Sequence, residues 1–236
     1  MARRLSRRGA LRFMAAAPVG VALAGCGGVV ASVDAGRPDS SVDGDSSMGD
    51  ASLPDAGPAV CEPTTSDARG PFFEDGAPMR MLIADPAEPG ERMLIQGVVM
   101  DADGCTRPLG GYVVDLWQAD AVGNYYDAIS TSYRLRGRLI TGADGRFAIE
   151  TIKPGFYLTP TGPRPAHLHV RVVGPEGAER LVTQLYFESD SYLGRADGCQ
   201  PPTCFSNDPA RIIRLEPARI GGADGLRGAI QLNVSR

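Results

Sequence analysis

The sequence predicts an all-β fold, a sandwich or a barrel. The chain contains 30 glycines and 19 prolines among 236 residues, and its apolar residues fall in short runs between turn residues. No long stretch repeats its apolar residues with the 3.6-residue period of a helix. Short strands separated by glycine-rich and proline-rich turns are typical of antiparallel sandwiches and barrels, so these observations favour that fold class.

The strands are expected in order from residue 93 onward. The apolar run 93–100 ends in a turn at 101–104, and the run 146–152 alternates so that Phe147, Ile149 and Ile152 should face inward. Glycine and aspartate at the ends of these runs are typical of turns. The other strands are expected at 112–117, 138–141, 167–173, 180–187, 212–215 and 229–234.

The first 25 residues have the pattern of an export signal. They contain five arginines and no acidic residue, and an apolar run of 12 residues (13–24) follows the last arginine. Such a run is too short for a comfortable membrane span and is typical of a signal peptide. The segment 6–11 resembles a twin-arginine signal, and 23–26 resembles a lipoprotein signal with cleavage before Cys26. We therefore expect an exported protein that lipid on Cys26 anchors to a bacterial membrane, in the periplasm or at the cell surface.

The next segment, 26–60, is expected to be a disordered linker behind the lipidated cysteine. Residues 27–60 are mostly Gly, Ala, Ser, Asp and Pro, with six aspartates and one arginine. Such a composition buries too little apolar surface to offset the entropy of ordering. The folded domain is therefore expected to span residues 61–236, which is long enough to form one core.

The net charge argues against binding to nucleic acid. Without residues 1–25 the chain keeps 19 basic and 28 acidic residues, a net charge of −9. A chain of this charge repels phosphates and cannot displace their counterions. We therefore expect no nucleic-acid partner.

The cysteines indicate disulfides. Four remain after Cys26, an even number in a chain that is expected to be exported. Of the three possible pairings we favour Cys61 with Cys105 and Cys199 with Cys204. A four-cysteine zinc site is the weaker alternative, because the chain has no Cys-x-x-Cys pair.

The two histidines of the chain suggest a metal site. His167 and His169 are the only histidines, and residues two apart on a strand point to the same face. Spacing alone supports the alternative of two half-exposed strand residues equally well.

Tyrosines are the other donors near the histidines. No acidic residue lies between Glu150 and Glu176, whereas Tyr157 precedes the histidines by ten residues and Tyr125 lies in a loop after the strand 112–117. A phenol ionises at neutral pH only beside a strong Lewis acid. Two phenolates and two imidazoles suit Fe(III), whereas zinc prefers thiolate and imidazole.

These residues lie within blocks that resemble the intradiol ring-cleavage dioxygenases, the catechol and protocatechuate-type enzymes with a non-haem ferric centre. The blocks occur in the family's order and cover about residues 66–190. They include Arg69-Gly70-Pro71-Phe72-Phe73, Gly97-Val98-Val99, Asp115-Leu116-Trp117-Gln118-Ala119-Asp120, Gly123-Asn124-Tyr125, Arg136-Gly137-Arg138, Thr151-Ile152-Lys153-Pro154-Gly155, Arg164-Pro165-Ala166-His167-Leu168-His169 and Arg180-Leu181-Val182-Thr183-Gln184-Leu185-Tyr186-Phe187. The resemblance implies a β-sandwich of prealbumin-like topology with long loops.

The resemblance also implies a role for each site residue. The ferric ligands would be Tyr125, Tyr157, His167 and His169, with Tyr157 and His167 axial. Tyr157 would leave the iron when the catechol binds and take a substrate proton. Arg164 would stabilise the carbanion character of the bound substrate, and Gln184 would orient neighbouring groups. Without the resemblance, Arg164 would be interpreted as a surface arginine.

Three aromatic residues near these positions need separate interpretations. Tyr126 is next to Tyr125, and only one of two neighbours on an extended segment can face the iron; the glycine two residues before favours Tyr125. Tyr133 is expected at the surface. Trp117 is expected in the core beside the site, as is usual for a tryptophan on a strand.

The leading hypothesis is a lipid-anchored Fe(III) dioxygenase that opens a catechol-type ring between its two hydroxyls and inserts both atoms of O2. The alternative is a non-catalytic, transthyretin-like β-sandwich that binds a partner at the cell surface, since fold alone does not define function. A third interpretation is a metal-holding protein with the same ligands and no open position. The complete set of ligands, together with Arg164, favours the enzyme.

Overall fold

The computed structural model describes residues 61–236, which form eleven strands and two single-turn 3₁₀ helices. The signal peptide predicted for residues 1–25, the lipid on Cys26 and the linker to residue 60 lie outside the described residues. None of the helices in the described part of the chain is long and apolar enough to cross a membrane.

One sheet contains four strands in the order β10-β11-β1-β4. Its central pair, β1 and β11, is parallel, and both outer pairs are antiparallel. The burial of β1 alternates strictly along the strand, which is the pattern of a sheet with one face toward the core. The strands are β1 (Arg92–Asp101), β4 (Arg146–Ile152), β10 (Glu216–Ile220) and β11 (Ala223–Val234).

The second sheet contains five strands in the order β3-β2-β7-β8-β9. Its three central strands are antiparallel neighbours, with β7 between β2 and β8. These three strands are buried along most of their length, because the outer face of the sheet is also covered. The strands are β2 (Val113–Gln118), β3 (Arg136–Ile140), β7 (His167–Val173), β8 (Glu179–Phe187) and β9 (Ile212–Ile213).

The core lies between the two sheets. Its members come from both, and Phe147 and Ile149 of β4 face inward as their alternation predicts. Gly97 of β1 leaves space for the Phe147 ring, since a Cβ at this glycine would lie 2.1 Å from the ring. The predicted β-sandwich is therefore confirmed.

Most predicted strands match the structure to within two residues, but the chain outside them departs from expectation. The predicted strand at 212–215 is wrong beyond Ile213, where β9 ends, and β10 follows with a proline at its second position. The strand predicted at 229–234 begins earlier, at Ala223. The short hairpin of β5 (Tyr157–Thr159) and β6 (Gly162–Arg164) has no apolar alternation and was not predicted.

The described chain has two disulfides, and both are the predicted pairs. Cys61 is bonded to Cys105, and Cys199 is bonded to Cys204. The first fixes the start of the described chain to the turn after β1, beside the ion pair of Asp101 with Arg236. This end of the sandwich holds both ends of the described chain.

Candidate metal centre

The two histidines lie side by side at the start of β7, at the end of the sandwich opposite the Cys61–Cys105 disulfide. Both are buried, and their Nε2 atoms face each other at 3.2 Å. The Nδ1 of His167 donates to the carbonyl oxygen of Pro165 at 2.6 Å, which leaves Nε2 as the lone-pair nitrogen. The His169 ring stacks on Trp117 with a centroid distance of 4.7 Å. Both rings are thereby held with Nε2 toward the same point.

Burial keeps both imidazoles neutral. The pKa of His167 is lowered to about 4, mainly by burial and secondarily by the positive charge of Arg164. Burial likewise lowers the pKa of His169, and the neighbouring His167 and Arg164 lower it further. A neutral imidazole is the form that binds a metal ion.

Tyr125 completes the cluster from the loop after β2. Its hydroxyl lies 3.4 Å from Nε2 of His167, and its ring stacks on Phe72 with a centroid distance of 4.1 Å. The loop turns at Gly123, where φ is +89° and a Cβ would lie 2.2 Å from the carbonyl oxygen of Phe156. Only glycine fits this close approach, which brings the loop of Tyr125 against the segment of Tyr157.

Tyr157 lies at the start of β5 and reaches the same cluster from another side. Its ring is edge-on to Tyr125 and tilted against His167, with centroid distances of 5.7 Å in both cases. Burial raises the pKa of Tyr157, whereas the charge of Arg164 and a hydrogen bond from it lower the pKa. Burial also raises the pKa of Tyr125, with the neighbouring Tyr157 as the next cause. Ionising these phenols therefore requires a compensating cation beside them.

Arg164 is buried next to this cluster, so the interpretation as a surface arginine does not apply. Its Nε donates to Oδ1 of Asp197 at 2.8 Å, and its Nη2 donates to Oε1 of Gln184 at 2.7 Å. Gln184 in turn donates through Nε2 to the carbonyl oxygen of Ala68 at 2.6 Å. Gln184 therefore connects the guanidinium to the backbone at Ala68; the orienting role expected for it stays a prediction.

A buried ionic network that the sequence analysis did not identify lies behind His167. The Tyr186 hydroxyl, on the residue paired with His167 across β7 and β8, donates to Oδ2 of Asp67 at 2.8 Å. Arg211 forms an ion pair with the same carboxylate, and neither side chain is exposed to solvent. Asp67 and Arg211 are 144 residues apart, so no local sequence pattern pairs them.

The three other aromatic residues considered in the sequence analysis either bond to groups outside the cluster or pack against it. Tyr126 points away from the histidines and donates to Oδ2 of Asp120 at 2.5 Å, with Arg134 over its ring. The Tyr133 hydroxyl donates to the carbonyl oxygen of Asp75 at 2.9 Å. Trp117 is buried against His169, as expected. Of the two adjacent tyrosines, only Tyr125 lies in the cluster.

The donor atoms of the cluster fit a hard trivalent cation. Two neutral imidazole nitrogens and a phenol oxygen lie close together, with Nε2 of His167 within 3.4 Å of the other two atoms, and a second phenol adjoins them. Residues 61–236 contain no group of three or more His, Cys, Asp or Glu side chains that could hold a metal ion, so phenols are needed to complete a site. Phenolate and imidazole together suit Fe(III).

The fold and this cluster define a β-sandwich protein with two histidines and two tyrosines gathered at one end. Comparison with known proteins agrees. Residues 68–201 match the family described as Dioxygenase. The chain is 38% identical over 161 residues to a chlorocatechol 1,2-dioxygenase of Rhodococcus opacus, a match that covers 58% of this chain and 60% of that enzyme. It is 40% identical over 143 residues to a 6-chlorohydroxyquinol 1,2-dioxygenase of Cupriavidus pinatubonensis, covering 52% of this chain and 50% of that enzyme.

Solved structures agree with these matches. The dioxygenase domain of a carbohydrate-binding fusion protein from Streptomyces sp. SirexAA-E superposes with a TM-score of 0.59 at 32% identity, covering 74% of this chain and 99% of that one. The 3-chlorocatechol 1,2-dioxygenase of Rhodococcus opacus 1CP gives a TM-score of 0.62 at 28% identity and 73% coverage of both chains. The chain belongs to the intradiol ring-cleavage dioxygenase family. It spans between about half and 60% of the length of the curated relatives it matches.

Proposed function

We propose that this protein cleaves a catechol-type aromatic diol between its two hydroxyl-bearing carbons, with both atoms of O2 entering the product. A ferric ion held by Tyr125, Tyr157, His167 and His169 is the cofactor in this proposal. The observation that carries it is the convergence of the donors, with Nε2 of His167 3.2 Å from Nε2 of His169 and 3.4 Å from the Tyr125 hydroxyl. The names of the relatives, which act on chlorocatechol and 6-chlorohydroxyquinol, support a catechol-type diol as the substrate class.

The proposed ferric ion requires ligands that are held in place and in the correct protonation state. Ferric iron would supply Lewis acidity that favours loss of the diol protons, and the resulting catecholate has a ring electron-rich enough to react with O2. The two histidines remain neutral nitrogen donors, because their burial disfavours protonation. Trp117 and the Pro165 carbonyl hold the two imidazoles in one orientation each.

Tyr157 is the residue to which we assign the proton of the substrate. Unlike the histidines, it is only half-buried and lies on a short hairpin rather than in a main sheet. The Tyr125 ring is stacked on Phe72, whereas the Tyr157 ring makes only edge-on and tilted contacts within the cluster, so Tyr157 is the one of the four best able to move. Its phenolate oxygen accepts a proton from one catechol hydroxyl as the diol binds. The positive charge of Arg164 lowers the pKa of Tyr157 and so favours its phenolate, against the effect of burial.

Arg164 is the residue to which we assign electrostatic stabilisation. Its guanidinium is buried, carries a fixed positive charge and is held by Asp197 and Gln184. A preorganised cation in a water-poor site stabilises negative charge that develops on the ring more strongly than solvent does. Such charge develops on the ring when the diol loses its protons and its ring becomes electron-rich toward O2.

The location is part of the proposal. We propose that the protein is exported and held at a bacterial membrane by lipid on Cys26, as the first 26 residues predict. The two disulfides of the described chain support an oxidising compartment.

The test is a visible spectrum with iron analysis of the purified full-length chain, before and after anaerobic addition of catechol, followed by admission of ¹⁸O₂. We expect one iron per chain, a tyrosinate-to-iron charge-transfer band that shifts with catechol, and a ring-opened dicarboxylic acid that carries two ¹⁸O atoms. A His169→Ala variant should lose the band and the product. A colourless chain that remains iron-free after ferric reconstitution contradicts the proposal and favours the non-catalytic binding module.

A further inference from the structure

Asp197 is a buried carboxylate that lies outside both sheets, in the segment after β8. Its side chain has no exposed surface. Its Oδ1 accepts from Arg164 Nε at 2.8 Å and from the Cys199 backbone N–H at 2.9 Å. Its Oδ2 is buried and forms no hydrogen bond with any group of residues 61–236. The carboxylate is therefore committed to one cation.

The Arg164 guanidinium is fixed from two directions. Asp197 binds Nε, and Gln184 binds Nη2 at 2.7 Å. Because the guanidinium is planar, two such bonds define both the position of the plane and its rotation. Arg164 lies opposite Tyr157 in the β5–β6 pairing, so the fixed guanidinium faces the movable ligand of the proposed site.

The segment that carries Asp197 is itself held in place. We call residues 194–204 the docked segment. The backbone N–H of Gly198 donates to the carbonyl oxygen of Pro163 on β6 at 2.5 Å, and a Cβ at Gly198 would lie 2.6 Å from the Gly162 backbone. The Cys199–Cys204 disulfide closes the far end of the docked segment, and Cys204 is fully buried. The segment is thereby attached to the strand that carries Arg164.

We propose that Asp197 is a positioning residue for ring cleavage: from the docked segment, its carboxylate holds the Arg164 guanidinium in the orientation that stabilises the reacting diol. The inference rests on the proposed function. A buried ion pair gives little net stability compared with an apolar pair of the same volume, so stability alone does not account for this arrangement beside the site. An orienting role does, because a small misplacement of a stabilising charge lowers the rate strongly.

The experiment is a double-mutant cycle on the iron-loaded full-length chain. Asp197→Ala and Arg164→Gln are each expected to lower kcat by about 100-fold. The double variant is expected to be no slower than Arg164→Gln alone, because Asp197 acts only through Arg164. Asp197→Asn keeps an oxygen acceptor for Nε and should recover about tenfold over Asp197→Ala. Asp101→Ala is the matched control, since Asp101 is a buried carboxylate paired with Arg236 at the other end of the sandwich.

Further measurements separate positioning from a purely structural role. Melting temperatures of the iron-free variants and the anaerobic dissociation constant of 4-nitrocatechol are measured beside kcat, and we expect the loss of kcat to exceed any rise in that constant. Should Asp197→Ala not fold, Asp197→Asn and the neutral pair Arg164→Gln/Asp197→Asn test the same coupling.

The outcomes distinguish the inference from the proposed function. Losses that simply multiply in the double variant, or a kcat for Asp197→Ala within twofold of an active wild type, overturn the inference alone. A wild-type chain that binds iron and catechol but yields no ring-opened product overturns the proposed function, and the inference with it.

Discussion

Among single side chains, the contacts of two adjacent tyrosines determine which of them lies in the histidine cluster. Tyr126 is engaged by Asp120 and covered by Arg134, at a distance of 3.8 Å from the guanidinium carbon to the ring centroid. Tyr125 instead stacks on Phe72, with its hydroxyl toward His167. The two phenols thus have different surroundings although they are neighbours in the chain.

This difference gives a matched pair of variants. Tyr125→Phe removes one oxygen donor of the proposed centre, so we expect loss of the charge-transfer band, a fall in iron content and a loss of kcat of at least 100-fold. Tyr126→Phe removes an equivalent hydroxyl outside the cluster and should keep iron, colour and kcat within about threefold, at a cost of roughly 1 kcal/mol of stability for the lost hydrogen bond. Iron analysis and steady-state kinetics of both variants check this; equal losses in the two would contradict the assignment of Tyr125.

At the scale of elements, the site depends on the contact between the loop after β2 and the segment before β5. Gly123 and Gly155 both allow this contact, since a Cβ at Gly155 would lie 2.5 Å from the carbonyl oxygen of Ala121. Tyr125 belongs to the loop, and Tyr157 directly follows the second segment as the first residue of β5; neither lies in a main sheet. Close backbone approach at glycine therefore sets the distance between them.

Gly123→Ala tests this contact against a control with the same backbone requirement. Gly104 also has a positive φ, +73°, but apart from its two chain neighbours no residue of 61–236 lies within 4 Å of the position that an alanine methyl would take there. At Gly123 that methyl would lie 2.2 Å from a carbonyl oxygen. Both substitutions should cost about 1 kcal/mol for the strained φ. We expect Gly123→Ala to cost at least about 2 kcal/mol more and to lower iron content, because the loop must move away from Tyr157. Denaturant unfolding and iron analysis measure both effects; similar results for the two variants would contradict the argument.

The difference between the strands of the sandwich and the segments outside the sheets explains what the sequence could predict. The His167–His169 spacing, the apolar runs of β1 and β7 and the alternation of β4 are local patterns, so the sequence alone could indicate the sandwich and the histidine pair. Tyr125 and Tyr157 stand out in the sequence as donors near the histidines, but their roles, like those of Arg164 and Gln184, follow only from the family resemblance, since no local period connects these positions. Asp197, like the pair of Asp67 and Arg211, depends on segments that meet only after folding.

Across the whole molecule, β1 runs from the end of the sandwich that carries the histidines to the end that holds both termini of the described chain. At its start, Arg92 pairs with Ile152, whose carbonyl oxygen accepts from Gln118 near the histidines. At its other end, Asp101 adjoins the Cys61–Cys105 disulfide and the last residues of the chain. Ten residues of strand span about 33 Å, so Cys61 lies far from the proposed centre.

The two disulfides should accordingly separate stability from activity. Cys61 and Cys105 are 44 residues apart, and in the chain-entropy model opening this loop costs about 4 kcal/mol; the separation of 5 between Cys199 and Cys204 corresponds to about 2 kcal/mol. Replacing the first pair by serine should lower the melting temperature more, yet leave kcat within about twofold. Replacing the second pair should lower the melting temperature less and kcat more, because the docked segment carries Asp197. Calorimetry and kinetics on both double variants check that one variant loses more melting temperature and the other loses more kcat. A loss of kcat that follows melting temperature alone would show that the docked segment supports the fold and does not position Arg164.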